Sequence, residues 1–258
     1  MQFLPYLSPD LDGFSKMPHA AKLLYLVAQI CEVESLADLA RRAGVSERTA
    51  IRMNKLLCKH KWFRTERRGN KVVPIPVLPR AEDERRARIF RACYEVSPFK
   101  GEFIMGSLLN ATLFLEDKVD NARPDFLKNP VTGENLEYDV FSPTTKSAWE
   151  FQGFQHFGPT EVFPSKEKAK QQQANDLIKL GRSVENGVTL VVMTYKDLSL
   201  DGILKNLPAH LRKKPIDRTS RYIRTIENVA ADYRRWAARI EGEMQGKSEA
   251  PSPAAGQS

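Results

Sequence analysis

The chain has 258 residues, of which 41% are hydrophobic and 28% charged, with a formal net charge of +8. That length gives one large domain or two small ones, and the balance excludes disorder over most of the chain. No stretch approaches the roughly 20 apolar residues of a membrane span, and the N-terminus lacks a basic leader before an apolar run, so neither a membrane partner nor a signal peptide is expected.

The positive charge is local. Residues 1–80 hold 14 Lys/Arg and 7 Asp/Glu, a net of +7, which leaves about +1 for the remaining 178. Between Arg41 and Lys71 stand 11 basic residues and 2 acidic ones. Such a patch points to a polyanionic partner, although charge alone does not choose between nucleic acid and an acidic membrane surface. The three cysteines, Cys31, Cys58 and Cys93, are odd in number and lack metal-ligand spacing. Buried thiols in a reducing cytoplasm are the expectation.

Residues 15–80 read as helices followed by a β-like end. Ser35 with Asp38 three residues later opens a helix, and Gly44 suits the left-handed position that ends one. Ser46 then caps a second helix from Glu47 to about Lys61. Leu36, Leu39 and Ala40 on the first, with Ala50, Met53, Leu56 and Leu57 on the second, supply a packing face in a helix-turn-helix arrangement. The second helix presents Arg48, Thr49, Arg52 and Lys55 outward, where such residues reach base edges or grip phosphates. Trp62 to Ile75 reads as strand, glycine-containing turn, strand, and carries Arg64, Arg67, Arg68 and Lys71. The whole resembles a winged helix-turn-helix domain, which implies double-stranded DNA as partner. The plainer alternative is a small helical domain with a solvated basic face.

Residues 81–97 form a charged helical linker. Residues 98–208 mix helices and strands. Gly101 to Leu109 reads as a helix with Glu102 near its start, and Arg123 to Leu127 as a short extended element containing Asp125. Leu136 to Phe141 and Ala148 to Phe157 are rich in β-formers and flank turn residues, so they form a hairpin. Asp139 sits on its first strand and Glu150 on its second, with ten residues between them. Two carboxylates on adjacent strands can share a divalent metal such as Mg²⁺ or Mn²⁺, which polarises a phosphodiester and acidifies an attacking water. Lys166 to Leu180 is helical and carries Gln172, Asn175, Asp176 and Lys179, and Val188 to Thr194 is an apolar run expected to be a buried central strand. Residues 209–246 form a C-terminal amphipathic helix, with Ile223, Ile226, Val229, Tyr233, Trp236 and Ile240 at helical spacing. The tail, 247–258, is small, polar and expected to be disordered.

The Asp139 … Glu150-Phe151-Gln152 pattern resembles the PD-(D/E)XK, or restriction-endonuclease-like, nuclease superfamily. Gln152 stands where that superfamily usually has lysine. Some members place glutamine there and others carry the lysine on a following helix, which makes Lys179 the candidate here. Glu-Phe-Gln-Gly-Phe-Gln-His-Phe (150–157), followed by Asp176-x-x-Lys179, is particularly similar to the branch related to very-short-patch-repair endonucleases. In that branch a histidine soon after the second strand takes part in catalysis, and His156 matches by position. Asp125 lies in a literal Pro-Asp and competes with Asp139, which has the tighter hairpin spacing to Glu150.

The resemblance implies an α/β (α+β) nuclease domain behind a smaller winged-helix domain. It implies a Mg²⁺-dependent endodeoxyribonuclease with Asp139, Glu150 and Glu102 as metal ligands. Gln152, His156 or Lys179 would position or deprotonate the water. A cytoplasmic, nucleoid-associated location and a homodimer fit that reading. The rival is a non-catalytic DNA-binding regulator or scaffold with a degenerate nuclease fold, and a third possibility is action on RNA.

Overall fold

A computed structural model describes residues 14–115, 117–153 and 166–248. It is a mixed α and β structure with one two-stranded and one four-stranded sheet. The N-terminal unit holds three helices, α1 (His19–Ile30), α2 (Leu36–Arg42) and α3 (Glu47–Lys59), and a hairpin of β1 (Phe63–Arg68) and β2 (Lys71–Pro76). The expected caps are present. Ser35 Oγ accepts the Asp38 amide at 3.1 Å, and Ser46 Oγ accepts the Thr49 amide at 3.2 Å. Gly44 ends α2 with φ +66°, and Gly69 turns the hairpin with φ +60°, both costly for a residue with a Cβ. Leu24, Tyr25, Leu39, Leu57 and Trp62 fill the core between the helices. The Tyr25 ring meets Trp62 edge-on at 5.0 Å, and its hydroxyl donates to the Val77 carbonyl at 2.8 Å, which ties α1 to the end of the hairpin.

The rest of the described chain runs α4 (Arg80–Val96), α5 (Lys100–Thr112), β3 (Val119–Ala122), β4 (Tyr138–Ser142), β5 (Ser147–Gln152), α6 (Lys166–Glu185), β6 (Thr189–Thr194), α7 (Leu200–Asn206) and α8 (Arg221–Ser248). The strand order is β3-β4-β5-β6; the first two pairs are antiparallel and β5 with β6 is parallel. One core joins α5, α7 and α8 to Val140, Trp149, Phe151 and Met193 of the sheet. A smaller one gathers Leu127, Leu136, Tyr138 and Ala148 with Ile178 of α6 on the opposite side. The sheet therefore has helices on both faces, and α6 is the crossover that a parallel pair requires.

Three expectations need correction. Residues 189–194 form the edge strand of the sheet among the described residues, not a central one, and Val192 is 45% exposed. Residues 123–127 are not extended; Leu127 closes a turn onto the Pro124 carbonyl at 2.9 Å after β3 has ended at Ala122. The C-terminal helix starts at Arg221 instead of about residue 209. The segment before it contains Pro208 and Pro215, which a helix interior rejects. That segment instead runs beside Leu113, with Phe114 bonded to the Arg212 carbonyl at 3.1 Å and Lys214 to the Thr112 carbonyl at 2.7 Å.

The linker helix is structural. The Asp83 carboxylate accepts the Arg221 and Tyr222 amides at 2.6 and 2.9 Å and the Ser220 hydroxyl at 2.5 Å. A residue 138 positions away thus satisfies the open amides at the start of α8.

Candidate active site and basic face

Asp139 and Glu150 lie on neighbouring strands where the ladder between them stops. The β4–β5 register runs from Ser142↔Ser147 to Val140↔Trp149. One step further, the Phe151 amide donates to Asp139 Oδ2 at 2.7 Å. A side-chain oxygen takes the place of a main-chain carbonyl, so the ladder can end without leaving a buried amide unpaired.

Glu150 points to the α6 side. Lys179 Nζ donates to both of its carboxylate oxygens, at 2.9 and 2.8 Å, and the two side chains are only 12–13% exposed. The placement of α6 is fixed around this contact. Ser183 bonds the Lys179 carbonyl at 2.6 Å and the Tyr138 hydroxyl of β4, and Asn175 accepts from the buried Asn129 side chain at 3.0 Å. Asp176, one helix turn before Lys179, accepts from Gln172 at 3.1 Å.

Glu102 comes from the first turn of α5. Gly101 lets that turn settle on β5, since a Cβ there would lie 2.1 Å from the Phe151 ring. Asp139 then acts on both of the other acids. Burial, then the Asp139 charge, push Glu150 up to about 8, and Lys179 opposes this without cancelling it. Burial, Asp139 and Glu137 push Glu102 up to about 7. Crowded carboxylates in a poorly solvated site resist full ionisation, as like charges sharing a site do. A cavity of about 410 Å³ adjoins, with Glu102, Asp139, Lys118 and Asn121 in its wall.

Carboxylate oxygens are the donors that a hard divalent cation takes, and burial disfavours the charged form of Glu150 and Glu102. Among the described residues no three His, Cys, Asp or Glu side chains come close enough together to hold a metal ion. Asp139 and Glu150 are neighbours across β4 and β5, and Glu102 lies near enough to Asp139 to feel its charge.

Gln152 ends β5, half-buried, opposite Thr194 of β6. Asp125 is exposed in the turn after β3 and is not part of this group. His156 lies outside the described residues. Lys118 escaped sequence reasoning. It is 4% exposed, pairs with Asp120 and faces the cavity, yet nothing in its local pattern marks it.

On the N-terminal unit, Arg48, Arg52 and Lys55 are exposed along one face of α3 and, like exposed Arg67, make no ion pair among the described residues. Thr49 is half-buried, and its hydroxyl accepts from Ser46 at 2.9 Å within the cap. Lys71 pairs with Glu34 at 3.1 Å and Arg68 with Glu66 at 3.5 Å, both still accessible. Arg64 bonds Glu66 at 3.0 Å and reaches buried Asp217 at 3.5 Å, so it ties the hairpin to the segment before α8.

The chain is similar to viral proteins. It is 34% identical over 134 residues to uncharacterized protein 307L of Invertebrate iridescent virus 6, covering 46% of this chain and 64% of the relative. It is 45% identical over 75 residues to uncharacterized protein 033L of Invertebrate iridescent virus 3, covering 29% and 39%. It is 28% identical over 92 residues to uncharacterized protein 094L of Frog virus 3, covering 35% and 59%. The chain thus spans about two fifths to under two thirds of the length of these relatives. No protein-family profile matches it, and no solved structure matches it.

Proposed function

We propose that the chain is a Mg²⁺- or Mn²⁺-dependent endonuclease that hydrolyses phosphodiester bonds in double-stranded DNA. The N-terminal unit, read as a winged helix, anchors it on the substrate through the α3 face and Arg67. The rest is read as a restriction-endonuclease-like domain.

One observation carries the reading: Lys179, delivered by the crossover helix, sits on Glu150 beside Asp139 where the β4–β5 ladder ends. Two carboxylates and an ammonium in one poorly solvated site suit phosphodiester hydrolysis, because they hold a cation and answer the charge that develops on phosphate. Gln152 lacks the positive charge, and Lys179 supplies it from α6. Asp139 and Glu150 would hold the metal, whose chemistry is to polarise the phosphate and acidify water. With a cation held by that carboxylate, the Lys179 ammonium would be free to meet the non-bridging phosphate oxygens. Glu102, held near 7, is suited to take up a proton close to neutral pH.

The test is cleavage of supercoiled plasmid in Mg²⁺, Mn²⁺ and EDTA by wild type, Asp139→Asn, Glu150→Gln and Lys179→Met. Metal-dependent nicking or cutting is expected, lowered by roughly a hundredfold or more in each variant with DNA affinity kept. Tight DNA binding with no cleavage in any metal overturns the nuclease reading in favour of a regulator. Preferential cleavage of matched RNA overturns the choice of DNA.

A further inference from the structure

A second cavity, of about 440 Å³, lies between the two units. Gln29 and Ile30 of α1 line one side, and Phe114, Lys214 and Ile223 line the other. Its volume is within the range of small-molecule sites. It does not touch Asp139, Glu150 or Lys179.

Two polar groups on its wall are left short of acceptors. Gln29 Nε2 is buried and makes no hydrogen bond. The Tyr25 oxygen, whose proton goes to Val77, lies near Gln29 but meets Nε2 in no hydrogen-bond geometry. Lys214 Nζ donates to the Asn110 carbonyl at 2.7 Å and stands 5.7 Å from the centre of the Phe114 ring. It forms no ion pair among the described residues, and burial lowers it to about 8. The other charges nearby are already engaged: Arg86 with Glu82 at 2.7 Å, and Asp217 with Thr219 and Arg64. An orphaned buried donor and an uncompensated cation each cost free energy that an anionic acceptor would recover. The remaining walls, Ile30, Phe114 and Ile223, are apolar and suit a flat hydrocarbon body.

We infer that this inter-unit cavity is a binding site for a small aromatic anion, its charged group on Lys214, its polar edge at Gln29 and its ring against Phe114. Because the walls come from both units, the ligand holds the N-terminal unit against the carboxylate-bearing one. The inference does not depend on the nuclease reading.

The test is isothermal titration of the full chain with 2-naphthoate and with its neutral counterpart 2-naphthamide. Wild type is expected to bind one naphthoate per chain, with the amide about tenfold or more weaker, the difference one charge-assisted hydrogen bond makes. Lys214→Met should lower naphthoate to the level of the amide. Ile30→Trp, at a wall position 52% exposed and so harmless to folding, should weaken both ligands. Circular dichroism and melting check that each variant is folded. Equal affinity for the two ligands, unchanged naphthoate binding in Lys214→Met or Ile30→Trp, or no saturable binding in the low-millimolar range overturns the site.

Discussion

Glu150→Gln should change how stability responds to pH in the metal-free protein. Burial and Asp139 hold the Glu150 carboxyl at about 8, against an ordinary 4.5. The folded state keeps that proton through a range in which the unfolded chain has released it. Its stabilising effect is therefore complete below about pH 4.5 and is lost as pH rises towards 8. The full difference corresponds to at most ~5 kcal/mol at about 1.36 kcal/mol per pH unit. The Lys179 ammonium, 2.8 Å away, favours the charged form and shares the site's electrostatics. The loss expected in practice is about 2–3 kcal/mol, a large part of the 5–15 kcal/mol typical of a whole domain. Urea unfolding in EDTA, at steps between about pH 5 and about pH 8.5, measures it. Wild type should weaken across the range, and Glu150→Gln should be flatter. A smaller slope of the same sign should persist from Glu102, which is raised to about 7. Saturating Mg²⁺ should flatten the wild-type curve, since the ionised carboxylates then have a cation that binds only the folded state. Equal slopes in the two proteins, or a wild type that grows more stable as pH rises, would refute the electrostatic account of the site.

Replacing Arg48, Arg52 and Lys55 together by Gln should weaken DNA binding and lower the salt slope of log K by about 2–3, one release per lost phosphate contact, read by fluorescence anisotropy across salt concentrations. Arg64→Ala should act on stability instead, by about 1–3 kcal/mol in urea, because Asp217 is left buried beside a missing cation. Gly101→Ala should cost about 3 kcal/mol, since its Cβ would meet the Phe151 ring at 2.1 Å; a thermal midpoint within a degree of wild type would contradict this. Asp83→Ala should cost about 2 kcal/mol by uncapping α8, with amide exchange rising first at Arg221 and Tyr222.

What the sequence carried alone was local. Caps and turns depend on neighbours a few residues away, so Ser35, Ser46, Gly44 and Gly69 could be read directly. The helix that holds Lys179 and the hairpin that holds Asp139 and Glu150 follow from periodicity and turn residues for the same reason. The tertiary structure decided where distant segments meet, and charge pattern does not encode that. Arg64 looks like any other hairpin arginine until Asp217 arrives beside it. Asp83 looks like linker charge until α8 begins above it. The apolar run 189–194 reads as central because periodicity reports apolar faces but not how many strands follow. Lys179 could be named as a candidate from its helix, but only the crossover over β5 brings its ammonium onto Glu150. The ionisation of that pair follows from burial and the mutual field of the acids, quantities that exist only once the chain is folded.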